Sequence, residues 1–346
     1  MSLPSRPEFI FLQQEDVIAA GVTDMPMALE RVEHTFEMFG RDELRQPVKP
    51  LIKLPVNEND DSYSYLMVAM PVYMGGDINR AGIKWAAESL DNAKRGDLPY
   101  GIDVIILHDI ERAIPLAIMD GSVITAMRTG AAAGVAAKYL ANRDSEVVGL
   151  VGAGVVGRTS LEAIGLSVPS VRKFRVFDLN RDKSVSLKAD FGERWTIEVV
   201  DSVQAAVEAA DIISTATTAH APFIKAEWIK PGCFYAHVGY NEAEPQAILD
   251  ANVLVVDEIE MIKRYDSIAH DLLVRGDLSE DAFVHLSDVV LRRNPGRKNP
   301  LDKVIFLSHG MGSLDIAIAD RVYQNAKSLG LGQHLTLWDH TGLSLG

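Results

Sequence analysis

The sequence contains little cysteine and little positive charge. Its only cysteine is Cys233, so neither an intrachain disulfide nor a metal site of several thiolates can form. Apolar residues flank this cysteine, and we expect a buried structural thiol rather than a reactive one. The 34 lysines and arginines face 48 aspartates and glutamates, which gives a net charge of −14. This acidic balance opposes nonspecific binding to nucleic acid, which we do not expect as a partner.

Long apolar runs are also missing. None reaches the roughly 18 residues that a membrane-spanning helix needs, and the first residues do not form a basic segment followed by an apolar core. We therefore expect a cytoplasmic protein without a membrane partner. The motifs of zinc proteases, nucleophile-elbow hydrolases and P-loop enzymes are absent as well. No metal site is predicted, and redox chemistry is the class that remains.

The length and the residue pattern indicate two α/β domains, because 346 residues exceed the usual size of one hydrophobic core. The first 120 residues combine a predicted helix over 23–40 with short strand-like segments at 63–73, 81–89, 102–109 and 113–121. From residue 126 onward, apolar strands alternate with helices, which predicts a doubly wound parallel sheet. The strands are predicted at 147–151, 173–178, 211–217, 233–239, 253–257 and 303–310, and the helices at 126–141, from Thr159, and at 201–210, 285–290 and 313–329.

A Gly-x-Gly-x-x-Gly turn follows the strand that ends at Val151. Gly152 permits a tight turn, Gly154 lets the backbone approach a pyrophosphate, and Gly157 allows the next helix to pack closely on the strand. The start of that helix offers N–H donors to phosphates, so Val155 and Val156 belong to the same predicted site. Strand, turn and helix together predict a dinucleotide-binding domain.

Asp178 ends the next strand, 21 residues beyond Gly157. A carboxylate there accepts hydrogen bonds from ribose hydroxyls and repels a 2′-phosphate, which favours NAD over NADP. Arg181 keeps NADP open, because its side chain could bind a 2′-phosphate if it folded inward. Alternatively, Asp178 caps the following segment through Asn180. The small, polar strand end around Thr215, Ala216 and Thr217 suits the nicotinamide ribose, although an ordinary turn is the other interpretation.

The segment RTGAAAGVAAKYLA, the glycine turn and ADIISTATTAHAPFIKAEWIKPGCFYAHVG resemble the ornithine cyclodeaminase/μ-crystallin superfamily over nearly the whole chain. The resemblance implies an NAD-binding Rossmann domain at 128–318. It also implies a discontinuous α+β substrate-binding and dimerisation domain at 1–127 and 319–346, and a homodimer. The remaining cofactor residues implied by the family pattern are Thr129, Val238, Gly239 and Gly310.

Other segments, including LVRGDLSEDAFVHLSDVVLRRNPGR and HGMGSLDIAIADRVYQNAK, look most like the siderophore-pathway branch of this superfamily. That branch oxidatively cleaves N-(2-amino-2-carboxyethyl)-glutamate to 2,3-diaminopropionate and 2-oxoglutarate. The resemblance thus implies oxidation at a Cα–N bond through an imine, or the reverse reaction. A simple amino-acid dehydrogenase or ketimine reductase, a ring-closing cyclodeaminase, and a crystallin-like ligand-binding protein are the alternatives.

Two cations match family positions at the substrate. Lys84, in GIKW, matches the lysine at the substrate carboxylate and reacting amine, and Arg128, in MRTG, matches the carboxylate-binding arginine. From the residues alone, Lys84 could extend from a strand end into solvent, and Arg128 could be a surface charge. Arg128 lies at the start of the predicted helix, where a cation opposes the helix dipole unless an anion binds there. Lys49 is a further candidate for the carboxylate, ahead of Lys53.

The sequence offers more than one candidate for the acid–base residue. Cyclodeaminases carry an aspartate two residues after the glycine matched by Gly239, whereas this chain has Asn241, and an amide cannot accept a proton. Glu242 or Glu244 can replace that carboxylate, or both are solvated loop residues. His309 can act as acid or base near the nicotinamide, or it holds its loop. Asp315 matches the aspartate at the start of the last helix, where capping is its simplest role.

Overall fold

The computed structural model describes residues 7–56 and 63–337 of the chain. The strands are β1 (Glu8–Leu12), β2 (Leu44–Arg45), β3 (Leu51–Pro55), β4 (Tyr63–Met74), β5 (Arg80–Ser89), β6 (Gly101–His108), β7 (Pro115–Asp120), β8 (Val147–Val151), β9 (Lys173–Phe177), β10 (Thr196–Val199), β11 (Ile212–Thr215), β12 (Phe234–His237), β13 (Val253–Val256), β14 (Phe283–His285), β15 (Val304–Leu307) and β16 (Gln333–Thr336). The α-helices are α1 (Gln14–Ala19), α2 (Met25–Gly40), α3 (Leu90–Arg95), α4 (Ser122–Leu140), α5 (Val155–Ser167), α6 (Arg181–Phe191), α7 (Val203–Val207), α8 (Pro245–Leu249), α9 (Ile259–Ile262), α10 (Ile268–Arg275), α11 (Leu286–Val290) and α12 (Gly312–Leu329).

The chain divides into two compact units. The first comprises Met1–Asp24, Asp42–Thr125 and Gly312–Gly346, and the second comprises Met25–Arg41 and Ala126–Met311. The sequence-based boundaries placed 25–41 with the first unit and 312–318 with the second. In the structure α2 packs on α5 and α11 of the second unit, whereas α12 packs on β4, β5 and β6 of the first.

The first unit is built on a mixed sheet with the order β16-β1-β7-β6-β5-β4-β2, and β3 also pairs with β4. The strands from β4 to β7 form an antiparallel meander, whereas β1 joins β7 in parallel. The strand at 303–310 was predicted to be the last, but β16 follows it and pairs antiparallel with β1. Four exposed residues make up β16, which has no hydrophobic alternation that the sequence could reveal.

One face of this sheet carries α12, and the opposite face is apolar and exposed. Because side chains alternate along a strand, Trp85 points away from the face that its neighbour Lys84 shares with α12. The register aligns Ile52 with Met67, Ala87 and Ile102 across four strands, and Trp85 with Val104. We call this surface the outer face; its exposed large apolar residues are Ile52, Leu54, Tyr73, Trp85, Ile102 and Val104.

The second unit contains an entirely parallel sheet in the order β10-β9-β8-β11-β12-β15-β13-β14. The chain starts at β8, adds β9 and β10 on one side, and then returns to place β11 on the other. The order therefore reverses between β8 and β11, and ligands of such sheets bind at the carboxyl ends of the strands at this point. The predicted α/β class and Rossmann sheet are confirmed.

Small residues bring α4 and α5 together. A Cβ at Gly130 would lie 2.4 Å from the backbone of Thr159, and one at Gly134 would lie 2.8 Å from the Cβ of Ala163. The Thr159 hydroxyl donates to the carbonyl of Ala126 at 2.8 Å. The small-residue pattern thus serves a close helix–helix crossing rather than general flexibility.

Several predicted helix boundaries differ from the structure. The helix expected at 126–141 begins four residues earlier, at Ser122. Arg128 therefore lies in its second turn, and the dipole argument made for a helix start does not apply to it. The helix after the glycine turn begins at Val155 rather than Thr159. Within the described residues no helix is both long and apolar enough to cross a membrane.

Candidate active site

Each glycine of the turn has its own structural reason. Gly152 has a φ of +94°, and a Cβ there would lie 2.4 Å from the carbonyl oxygen of Ala216. A Cβ at Gly157 would lie 1.8 Å from the carbonyl oxygen of Gly152. A Cβ at Gly154, in contrast, would meet nothing within 4 Å. The turn is closed at two glycines and open at Gly154, as the approach of a pyrophosphate requires.

The N-terminus of α5 presents backbone donors at this opening. Gly154 is the N-cap residue, and no side chain caps the helix there. Val155 is 68% exposed, and Val156 follows it in the first turn. The first N–H groups of a helix lack acceptors within the helix and carry a partial positive charge. A diphosphate supplies both the acceptors and the negative charge that this end of the helix can bind.

Asp178 follows β9 and joins the glycine turn to the next segment. Its Oδ2 accepts the N–H of Ala153 at 2.7 Å, and its Oδ1 accepts the N–H of Asn180, also at 2.7 Å. The capping bond considered from the sequence is therefore present together with a bond to the turn. Each carboxylate oxygen retains acceptor capacity for a hydroxyl group. Arg181 forms an exposed ion pair with Asp201.

The loop ends of β11 and β12 extend the sheet past the switch point. The hydroxyls of Thr215 and Tyr235 are 2.8 Å apart and both are buried. The N–H of Ala216 donates to the carbonyl of Val151, and that of Val238 donates to the carbonyl of Thr215. These bonds fix the backbone at the carboxyl ends of β8, β11 and β12, where Thr215, Ala216 and Val238 were predicted to contact the cofactor.

Glu242 is a fully buried carboxylate that holds these loops together. Its Oε1 accepts the N–H and the hydroxyl of Thr217 at 3.0 and 3.1 Å, and its Oε2 lies 3.1 Å from Nε2 of His237. A Cβ at Gly239 would lie 2.0 Å from Oε1, so a side chain there would displace the Glu242 carboxylate. Burial raises the pKa of Glu242, but the bonds from His237 and Thr217 outweigh it and hold that pKa below its usual range. This carboxylate is arranged as a stable anion.

Arg128 lies against the loop between β15 and α12. Gly310 has a φ of +76°, and a Cβ there would lie 2.6 Å from Nη1 of Arg128. Arg128 is 8% exposed, and the adjacent Thr129 is equally buried. The loop backbone thus packs directly on the guanidinium. This geometry excludes the surface-charge interpretation of Arg128.

His309 sits in the same loop with its ring on an aromatic neighbour. The ring centroids of His309 and Tyr240 are 5.1 Å apart, and the planes are inclined by 33°. His309 is buried, and its backbone N–H donates to Oδ2 of Asp257 at 2.9 Å. The structure therefore restrains both the main chain and the imidazole of this acid–base candidate.

In the first unit, Lys84 belongs to a buried polar cluster in the middle of β5. Its ammonium lies 3.0 Å from Oδ1 of Asp315, 3.2 Å from the Thr125 hydroxyl and 4.0 Å from Oδ2 of Asp103. Lys84 is 2% exposed and Asp315 is fully buried. Lys84 therefore does not extend into solvent from a strand end, which was the alternative interpretation of the sequence. Asp315 binds the lysine, whereas the sequence indicated only a helix cap.

A match over almost the entire chain identifies the family. The model of the Ornithine cyclodeaminase/mu-crystallin family matches residues 8–330. The chain belongs to this family. The resemblance stated from the sequence is therefore confirmed.

The chain is similar to an enzyme known from its sequence and to two enzymes whose structures have been solved. The N-((2S)-2-amino-2-carboxyethyl)-L-glutamate dehydrogenase of Staphylococcus aureus is 25% identical over 339 residues, which cover 96% of this chain and 99% of that protein. The Δ1-pyrroline-2-carboxylate reductase of Thermococcus litoralis, solved with NADH and L-proline, is 30% identical with a TM-score of 0.86, covering 94% of this chain and 100% of that one. An archaeal alanine dehydrogenase dimer with bound NAD is 27% identical with a TM-score of 0.85, covering 96% and 100%.

The two candidate replacements for a family carboxylate lie in different places. Glu242 is enclosed as described, whereas Glu244 is the N-cap of α8 and lines a surface cleft with Lys225 and Asp250. Asn241, the residue before Glu242 in the chain, is half-buried. Glu242 and Glu244 are therefore not equivalent alternatives, although they are two residues apart.

The remaining lysines and the cysteine are placed as follows. Lys53 lies on the sheet face that carries Lys84, by the register of β3, β4 and β5, and Lys49 is half-buried in the segment before β3. Burial raises the pKa of the Cys233 thiol to about 12, so this cysteine is an inert structural residue, as expected. Among the described residues, no group of three histidine, cysteine or acidic side chains is arranged to hold a metal.

Sequence reasoning missed Asp103. It interrupts the buried side of β6, whose other inward residues are Ile105 and Leu107. In the register, Asp103 pairs with Ala86 and therefore shares a face with Lys84, two residues away on β5. A charged residue at a buried position of an alternating strand was the available signal, because such a residue needs a partner.

Proposed function

We propose that this protein is an NAD-dependent oxidoreductase that acts at the Cα–N bond of an amino acid or an N-carboxyalkyl amino acid. The observation that carries this most directly is the glycine turn at the switch point, closed at Gly152 and Gly157 and open at Gly154. Asp178 beside it suits ribose hydroxyls. Bound NAD would accept the Cα hydride, leaving a substrate iminium that water converts to a 2-oxo acid and an amine.

We assign the cofactor to residues of the second unit, and we propose two cations for the substrate. The predicted cofactor residues remain our assignment: Thr129, Gly152, Gly154, Val155, Val156, Gly157, Asp178, Thr215, Ala216, Thr217, Val238, Gly239 and Gly310. The planar guanidinium of Arg128 can bind the substrate carboxylate through two parallel hydrogen bonds. The Lys84 ammonium, oriented by Asp315, serves the carboxylate and the reacting amine. Lys49 and Asn241 complete the proposed substrate residues.

His309 is our candidate for the proton transfer, because an imidazole exchanges protons near neutral pH. Glu242 has a different role. Its oxygens are occupied by Thr217 and His237, and a low pKa makes a carboxylate a weak base. We therefore assign Glu242 to holding the loops around Thr217 and Gly239 rather than to the catalytic step.

The substrate class follows the relatives most closely when the substrate carries a secondary amine that joins the Cα of one amino acid to the side-chain carbon of another, as in N-(2-amino-2-carboxyethyl)-glutamate. A simple amino-acid dehydrogenase or imine reductase is the second candidate, which the alanine dehydrogenase and pyrroline-carboxylate reductase relatives favour. We assign the reaction to the cytoplasm, where a lone free cysteine such as Cys233 stays reduced.

Absorbance of the reduced nicotinamide tests this function. Purified protein is mixed with NAD or NADP and with N-(2-amino-2-carboxyethyl)-glutamate, alanine or proline, and the reverse reaction is run from 2-oxo acid plus amine. We expect NAD reduction with the conjugated amino acid, and at least a tenfold lower kcat/KM with NADP. Turnover of alanine or proline alone would select the second candidate. Measurable NAD binding without any turnover would contradict an enzymatic function and favour a ligand-binding protein.

We further propose a homodimer in which the outer face meets the same face of a second copy. An exposed apolar sheet face is a typical protein interaction surface, and one of the structural relatives is a dimer. Aromatic residues supply much of the binding energy at such interfaces. Trp85 lies on this face and is 43% exposed, and we propose it as the residue that contributes most to dimer binding.

Sedimentation of a Trp85→Glu variant tests the interface. A charge buried at the centre of an apolar contact has no partner, so we expect dimer affinity to fall by about 100-fold or more. The matched control is Val274→Glu, which places the same charge on an exposed apolar residue of α10 in the other unit. Equal dissociation constants for wild type and Trp85→Glu would exclude the outer face.

A further inference from the structure

Asp257 is a buried carboxylate with no role in the proposed function so far. It follows β13 directly, and β13 is the neighbour of β15 in the parallel sheet, with Val256 opposite Leu307. Asp257 and the loop that begins at Ser308 therefore leave the sheet side by side. Asp257 is fully buried, and its Oδ1 accepts the N–H of Glu258 at 2.8 Å.

The other oxygen of Asp257 accepts hydrogen bonds from three consecutive residues of the loop after β15. Oδ2 accepts the N–H of Gly310 at 2.6 Å, the N–H of His309 at 2.9 Å and the hydroxyl of Ser308 at 3.3 Å. Consecutive main-chain donors that converge on one anion form a concave anion-binding backbone. Here the anion is part of the protein, so the shape of the loop depends on the charge of Asp257. Hydrogen bonds to an ionised acceptor are about twice as strong as neutral ones.

The same loop sets the position of Arg128. Gly310 adopts a left-handed conformation and presents its Cα to the guanidinium, where a Cβ would come within 2.6 Å of Nη1. A loop that relaxed by a fraction of an ångström would change the surface against which Arg128 packs. Binding of a carboxylate through two parallel bonds requires the plane of the guanidinium to be fixed.

We propose that Asp257 is a positioning residue: its carboxylate fixes the Ser308–Gly310 loop, and through Gly310 it fixes the orientation in which Arg128 binds the substrate carboxylate. His309 is held by the same bonds, with its ring on Tyr240. This inference rests on the proposed function, because it takes Arg128 as the carboxylate-binding group. It adds a residue that contacts neither substrate nor cofactor.

The test is Asp257→Asn, which keeps the size of the side chain but removes the charge and one acceptor. We expect KM for N-(2-amino-2-carboxyethyl)-glutamate, and the dissociation constant of 2-oxoglutarate for the NAD-bound protein, to rise by about 10- to 100-fold. The dissociation constant of NAD should change by less than about threefold, because Gly310 is the only one of the assigned cofactor residues that lies in this loop. Peptides covering residues 308–311 should exchange amide hydrogen faster. The matched control is Asp302→Asn, which makes the same change in a carboxylate that accepts the N–H groups of Lys298 and Asn299.

Unchanged KM and unchanged loop exchange would overturn the role of Asp257, and so would an equal loss of NAD and 2-oxoglutarate binding, which marks a general structural defect. If Asp257→Asn does not fold, Ser308→Ala decides, because it removes only the hydroxyl donor to Oδ2 of Asp257 and should raise the same KM and the same loop exchange to a smaller extent. Failure of the proposed function is distinct: wild type itself would then turn over no substrate, while 2-oxoglutarate binding and hydrogen exchange still report on Asp257.

Discussion

Replacing Lys84 with methionine is expected to lower kcat/KM by about a thousandfold and to destabilise the fold. The ammonium is a partner of the fully buried Asp315, and removing one member of a buried ion pair costs about 3–5 kcal/mol. A similar free energy, lost from the binding of a substrate carboxylate, corresponds to about two to four powers of ten in rate. Unfolding by denaturant and steady-state kinetics on the same variant measure the two effects.

A second variant separates the fold from the chemistry. In Lys84→Met/Asp315→Asn both charges of the pair are removed, and neutralising a buried pair is often harmless to stability. We expect the double variant to recover part of the free energy of unfolding, because Asp103 loses its cation but keeps the Thr125 hydroxyl as a donor, and to recover none of the activity. If activity returned together with stability, Lys84 would serve the fold alone, and the proposed substrate role would have to be abandoned.

Replacing Glu242 with alanine is the second change for which we expect a large effect. It leaves His237 and Thr217 without their buried acceptor, at a cost of about 3–5 kcal/mol, and it frees the loops around Thr217 and Gly239 that we assign to the cofactor. Because the pKa of Glu242 is lowered in the folded protein, its stabilisation is present above the unfolded pKa of about 4.3. It is lost as the pH falls through the folded pKa. The stability difference between wild type and variant should therefore be largest at neutral pH and shrink below about pH 4.

Glu242→Gln distinguishes a holding role from a catalytic one. The amide oxygen can still accept from Thr217, and the amide nitrogen can still reach His237, so NAD affinity should stay within about threefold and kcat within about tenfold. Loss of a true acid–base carboxylate would lower the rate by about 10²–10⁴. A drop of that size in Glu242→Gln, with NAD binding intact, would restore Glu242 as the catalytic group.

The Rossmann unit was largely predictable because its signals are local. The apolar strand before Gly152, the three glycines and Asp178 lie within one short stretch, and their spacing has a direct geometric meaning. Boundaries were less accurate. The first turn of α4 contains Val123, Ile124 and Thr125, and β-branched residues are weak indicators of a helix. The first turn therefore gave no local sign that the helix begins at Ser122.

The parts of the site that the sequence did not predict depend on distant residues. Asp315 was interpreted from the sequence as a helix cap, yet it lies in the first turn of α12 and its partner Lys84 is 231 residues away. In the sequence, Asp257 is simply a polar residue after an apolar strand. Its role depends on β15, the neighbouring strand, which brings the following loop to its carboxylate. Glu242 was interpreted from its distance to Gly239 along the chain, whereas burial decides its chemistry. Periodicity and motifs report neighbours in sequence, and these contacts are neighbours only in the fold.

The order of segments in the first unit has a consequence for synthesis. Strands β4 to β6 are made early, but α12, which covers their inner face and brings Asp315 to Lys84, is made only after the whole second unit. A growing chain therefore carries an open apolar sheet face, on which Lys84 lacks its partner Asp315, until α12 has been made. Contacts between such distant segments form slowly and leave apolar surface exposed in the meantime. The Rossmann unit can complete its sheet on the ribosome before α12 is made, whereas the lysine site can be assembled only after α12 has been synthesised.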